Sequence, residues 1–198
     1  MFDKNKLVKK TFLNHILHYI TYLEFFKNFN NIIVNSKVSS YCKLEIFLNQ
    51  QWILPFLTYC KNNSSTQLKQ CVDIIVVDQP KQNKRFIITY FLTSLFNFQL
   101  KITTKISELQ SILTVSNLFS TTVWLEREIF DLFGIFFLFN VDLRNILTDY
   151  GFVGFPLRKN FPLSGYVELF YDDNNKVIVV KQLELSQEFK NFFFKTLW

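Results

Sequence analysis

Apolar residues recur near helical spacing between Leu7 and Phe29, at Phe12, Ile16, Tyr19, Leu23 and Phe26, and predict an amphipathic helix. Lys43 to Leu48 alternates apolar and polar positions in the manner of a strand. Leu54 to Cys60 suits a short helix, closed by the polar run Lys61 to Ser65. Two β-branched and aromatic runs, Cys71 to Asp78 and Arg85 to Leu92, flank Gln79-Pro80-Lys81-Gln82-Asn83-Lys84 and predict a hairpin, to which Phe98 to Ile102 can add a third strand. Helical spacing returns from about Ile106 to Phe119 and again from Thr121 to Phe133, where Gly134 is placed to accept the left-handed conformation that closes a helix. After Gly134 neither period holds for long. Tyr171 to Lys176 is a turn, followed by one short β-branched run from Val177 to Val180. The pattern predicts an α+β fold: a two-layer domain over 1–134, its mixed β-sheet packed by helices, then a long extended C-terminal tail over 135–198. Little regular structure and many aromatics, Phe152, Phe155, Phe161 and Phe170 among them, mean that some other surface should cover this tail.

Composition narrows the classes. With 198 residues, 49% hydrophobic and 19% charged, the chain is globular with a real core. There are 25 Phe and no alanine, the signature of an AT-rich coding sequence. The net charge of +6 is spread over scattered lysines, clustered only at Lys4, Lys6, Lys9 and Lys10, so no basic stripe marks a nucleic-acid surface. Cys42, Cys60 and Cys71 are odd in number and lack C-x-x-C spacing, which suits neither a disulfide framework nor a metal or cluster site. His15 and His18 stand alone on the first helix. Phe86 to Leu100 is uncharged but too interrupted by polar residues to span a membrane. Neither a secretory signal nor a typical organelle presequence is evident at the N-terminus.

All four glycines, three of the four arginines and two of the four prolines fall between Glu126 and Tyr166. On the preceding helix, Leu125, Ile129, Leu132 and Phe133 form an apolar stripe, and Arg127, Glu128 and Asp131 group on the opposite side beside Trp124. Glu126 projects at the margin of the apolar face, where an unpaired carboxylate would be costly, so it needs a partner. The expected one is Arg144 or Arg158, each able to grip a carboxylate with two parallel hydrogen bonds. Gly151, after Asp149-Tyr150, and Gly154, before Pro156, read as turn positions, with no phosphate-cradling pattern around them. Arg158-Lys159, bounded by Pro156 and Pro162, reads as a docking contact with an acidic partner surface. Asp73 and Asp78 should point to opposite faces of their strand, and no nucleophile motif exists.

The series Glu126-Arg127-Glu128, Asp131-Leu132-Phe133-Gly134-Ile135, Asp142-Leu143-Arg144, Leu147-Thr148-Asp149-Tyr150-Gly151-Phe152, Pro156-Leu157-Arg158-Lys159 and Phe161-Pro162-Leu163-Ser164-Gly165-Tyr166 resembles the signature of the 30-kDa subunit family of respiratory complex I, in its organelle-encoded type. The likeness extends through Val72-Asp73, Asp78-Gln79-Pro80, Arg85-Phe86, Tyr90, Tyr171-Asp172 and Glu184-Leu185, covering roughly residues 70 to 198. Asn140, Asn145, Phe155 and Asn160 depart from the family pattern. Phe155 reads as an added apolar contact with a partner.

The resemblance implies a structural subunit of NADH:ubiquinone oxidoreductase with no catalytic, cofactor or metal residues of its own. FMN, iron-sulfur clusters and ubiquinone would lie elsewhere in the complex. It further implies a place in the peripheral arm, on the matrix side of the mitochondrial inner membrane, beside the 49-kDa subunit and the small subunit carrying the terminal iron-sulfur cluster. Residues 135–198 would dock on these partners. A related membrane-bound hydrogenase-type complex is the alternative setting.

Overall fold

The computed structural model describes residues 33–39, 43–64, 66–94 and 99–187, with 190, 192 and 194. The helix expected over Leu7 to Phe29, with His15 and His18, and Cys42 lie outside them. The chain divides into two compact units, Met1–Lys159 and Asn160–Trp198.

The first unit is built on a five-stranded sheet of order β1-β2-β5-β4-β3. Its strands are β1 (Ile33–Ser39), β2 (Lys43–Leu48), β3 (Leu68–Asp78), β4 (Phe86–Ser94) and β5 (Gln99–Ile106). β2 runs parallel to β5 and the other pairs are antiparallel, so the sheet is mixed, as the sequence predicts. The β3–β4 hairpin pairs Asp78 with Phe86 and Ile74 with Tyr90. Alternation sends Leu44 and Ile46 of β2, Leu100 and Ile102 of β5, Phe86, Ile88 and Tyr90 of β4, and Ile74 and Val76 of β3 into one core. The helices α1 (Ile53–Asn62) and α2 (Thr122–Phe133) add Ile53, Phe56, Leu57, Ile129 and Phe133 to it. The result is a two-layer α+β domain.

Residues 106–119 are not helical. β5 runs to Ile106, a turn follows, and Ile112–Leu113 forms the short strand β6, parallel to β7 (Phe137–Leu138). The Ile112 amide donates to the Phe136 carbonyl and the Thr114 amide to the Leu138 carbonyl, both at 3.0 Å. Those donors are claimed from outside the segment, which is why helical spacing of Ile112, Val115 and Phe119 does not produce a helix. α2 ends as expected. Gly134 caps it at φ +71°, and its amide donates to the Phe130 carbonyl.

The second unit contains a hairpin of β8 (Val167–Asp172) and β9 (Val177–Gln182), where the pattern suggested only the later run. Asp172 fixes its turn by accepting from the Asn174 amide at 3.0 Å and the Asn175 side chain at 2.7 Å.

Candidate functional site: a strap fastened to helix α2

From Gly134 to Lys159 the chain has almost no regular structure, yet it belongs to the first compact unit. Helix α2 holds it at three successive stations. At the first, the buried Glu126 carboxylate accepts from the Val115 amide (2.8 Å), the Thr114 hydroxyl (2.5 Å) and the Asn140 side-chain amide (2.8 Å). These donors flank β6 and β7, so one carboxylate locks that strand pair. Burial pushes its pKa up, and the three hydrogen bonds oppose the shift without reversing it.

At the second station Arg127 donates through Nε to the Asp142 carbonyl at 2.6 Å and through Nη2 to the Asp142 carboxylate at 2.9 Å. Its guanidinium carbon lies 4.8 Å from the Trp124 ring centre. The exposed Arg144 reaches the same carboxylate at 3.3 Å. At the third, one oxygen of Asp131 accepts from the amides of Ile146, Leu147 and Thr148 at 3.1, 2.7 and 3.0 Å. The other accepts from the Thr148 hydroxyl at 2.6 Å. Burial acts to raise this carboxyl, but the Thr148 hydroxyl and the three amides outweigh it and hold it below its ordinary value.

The far end of the strap is fixed to the end of α2 and the turn end of the β3–β4 hairpin. The Phe155 ring lies over Gly134 so closely that a Cβ there would sit 2.4 Å from it. The Leu157 amide donates to the Leu132 carbonyl at 3.1 Å. Arg158 donates to the Phe133 carbonyl (2.6 Å) and to Glu108 (2.5 Å), with its guanidinium 4.4 Å from the Phe155 ring centre and 5.3 Å from that of Phe86. Asp78 takes two parallel hydrogen bonds from Arg85 at 2.7 and 2.8 Å, and a third from the Lys159 amide at 2.8 Å. Arg85 also donates to Glu108 at 3.1 Å. The Arg85 hydrogen bond is the main reason the Asp78 carboxyl sits below the usual carboxylate range.

Several expectations change. Glu126 is tied to the segment that follows its helix, but through Asn140, not through Arg144 or Arg158. The polar side of α2 is divided: the strap buries Arg127 and Asp131, whereas Glu128 stays exposed. Arg158 turns inward, while the Lys159 side chain is exposed. Phe155 packs on Gly134 of its own chain. Asp149 and Gly151 (φ +81°) sit at the exposed outer bend, and Gly165 (φ +75°) makes a turn in the second unit. Glu108 and Thr114 carry no motif, since a donor or acceptor recruited by a fold has no local sequence signature.

Nothing in this arrangement pairs a nucleophile with a base. Cys60 and Cys71 are buried, and burial above all raises both thiols, Cys71 to about 12. Among the described residues no three His, Cys, Asp or Glu side chains converge as a metal site, and no helix is long and apolar enough to cross a membrane. What the site does is hold a strap with its inner side fastened and its outer side open. Phe139, Val141, Leu147, Tyr150, Val153 and Leu157 are exposed along it.

The residues that build these stations lie within the segment 46–167, which matches the family model of the respiratory-chain NADH dehydrogenase 30 Kd subunit. The chain belongs to this family. Among its relatives, NADH-ubiquinone oxidoreductase subunit 9 of Prototheca wickerhamii is 44% identical over 77% of this chain and 80% of its own. The subunit 9 of Reclinomonas americana is 40% identical over 83% and 81%. The fold of this 30-kDa family member is also seen in a trypsin-resistant fragment of Nqo5 (TM-score 0.54, 22% identity, 64% of this chain and 99% of that one). A chain of an archaeal membrane-bound sulfane sulfur reductase shares it as well (TM-score 0.63, 22% identity, 73% and 85%).

Proposed function

We propose that this chain is a non-redox structural subunit of NADH:ubiquinone oxidoreductase, contributing packing, assembly and rigidity to the module that reduces quinone. The observation that carries the reading is the 44% identity to a subunit of that enzyme across most of both chains. The fastened strap supports it. Three stations and an arginine clamp give the segment a fixed inner side, while its outer side offers apolar residues that a chain alone in water would not present in such number. FMN, the iron-sulfur clusters and ubiquinone belong to neighbouring subunits in this reading. The 49-kDa subunit and the small subunit with the terminal cluster are the partners of residues 135–198, in the peripheral arm on the matrix side of the mitochondrial inner membrane. The likeness to a sulfane sulfur reductase chain rests on shared fold at 22% identity and does not favour a hydrogenase-type setting.

A native gel probed for this chain tests the reading. It should co-migrate with NADH dehydrogenase activity; a small free species with no activity at its position would reject it.

A further inference from the structure

Residues facing each other across an antiparallel pair lie on the same side of the ribbon. In the β8–β9 hairpin, Val167 faces Gln182, Leu169 faces Val180 and Tyr171 faces Ile178. One side of the ribbon is therefore Val167, Leu169, Tyr171, Ile178 and Val180, a continuous apolar surface with Gln182 at its end. The other side carries Glu168 opposite Lys181, Phe170 opposite Val179, and Asp172 opposite Val177. There the Lys181 ammonium covers Phe170, 4.9 Å from the ring centre. The charges are confined to one side.

The five apolar side chains are 53–66% exposed. Together they leave roughly 500 Å² uncovered, within the range of the largest apolar patch on a single chain, which is often functional. That is more than half of the about 800 Å² that each partner contributes to a stable interface. A two-stranded hairpin is also marginal in water and requires another layer against its apolar side. The surface has no charge, and apart from Gln182 its one polar side-chain group is the Tyr171 hydroxyl. A charged partner surface would lose its hydration without gaining a counterpart.

We propose that this side of the hairpin is a docking face for an uncharged, apolar surface on another subunit of the assembly, with the Glu168–Lys181 side outside the contact. The inference rests on the reading of the chain as a complex subunit, and adds which element docks, by which side, and against what chemistry.

Hydroxyl-radical footprinting of the full chain, alone and within the purified assembly, tests it. Oxidation of Leu169, Tyr171 and Ile178 should fall at least about fivefold in the assembly, and that of Val177 and Lys181 less than about twofold, because a packed interface core excludes water and its rim does not. Protection already present in the chain alone would mean that the chain itself or a second copy covers the face, and would overturn the proposal. So would unchanged oxidation, or equal protection of both sides. If the chain is absent from every fraction with NADH dehydrogenase activity, the subunit reading fails and takes this inference with it; if it is present there with the face unprotected, the inference fails alone.

Discussion

Glu126 is buried with three neutral donors and, among the described residues, no ion-pair partner, and this sets its response to pH apart from that of Asp78 and Asp131. Its folded pKa lies above the ordinary 4.5, so the folded chain holds its proton more tightly than the unfolded chain does. Its contribution is therefore complete below about pH 4.5 and is lost as pH rises through the raised value. Asp78 and Asp131 lie below the ordinary 3.8 and act in the opposite sense, stabilising above it and losing that effect as pH falls through their folded values. Glu126→Gln should remove the first dependence and leave the second. Urea unfolding above pH 4.5 should then vary less with pH than in the wild type; an unchanged slope would reject this account. That Glu126 needed a partner was legible from its place on the helical wheel. Which partner was not, because Asn140, a threonine hydroxyl and a backbone amide announce nothing in sequence, whereas arginines do.

At the scale of the element, α2 works on two sides. The wheel resolved the side that packs on the sheet, Ile129 and Phe133, and grouped Arg127, Glu128 and Asp131 opposite it without saying what they meet. It could not show that a second layer of chain lies over Arg127 and Asp131, since that layer has no period of its own. The same blindness made 106–119 look helical: the residues that pair with β6 stand 25 positions later in the sequence. Strands β2 to β5, α1, and α2 with its glycine cap were legible because the side that each turns to the core keeps one period. Asp131→Ala should release the 146–148 turn, leaving three strap amides without their acceptor at a cost of about 3 kcal/mol. Trypsin should then cut after the exposed Arg144 about tenfold faster than in the wild-type chain. Equal cleavage would show that this station does not hold the strap.

For the whole molecule, the fastened inner side and the open outer side of the strap should separate by mutation. Val153→Asp changes a side chain 87% exposed that makes none of the Asp131 or Arg158 hydrogen bonds. The unfolding free energy of the isolated chain should move by less than about 0.5 kcal/mol. Incorporation into the NADH dehydrogenase band should nonetheless fall, because an unpaired carboxylate would be buried against the partner. Loss of both stability and incorporation would place Val153 within the fold and not at its border.

The hydrogen bond from the Lys159 amide to Asp78 joins residues 81 positions apart. Everything that bond needs, the β3–β4 hairpin with its Asp78–Arg85 pair and the end of α2, leaves the ribosome before Lys159 does. The strap is thus the last part of its unit to be synthesised, and it closes over a sheet and helix that can already have paired. A chain truncated before Gly134 would carry Arg127 and Asp131 without the strap groups that satisfy them, and would leave Asp78 with Arg85 but without the Lys159 amide. Position along the chain therefore works as a clock: the strap with its exposed outer side is set in place only after the scaffold beneath it has been made.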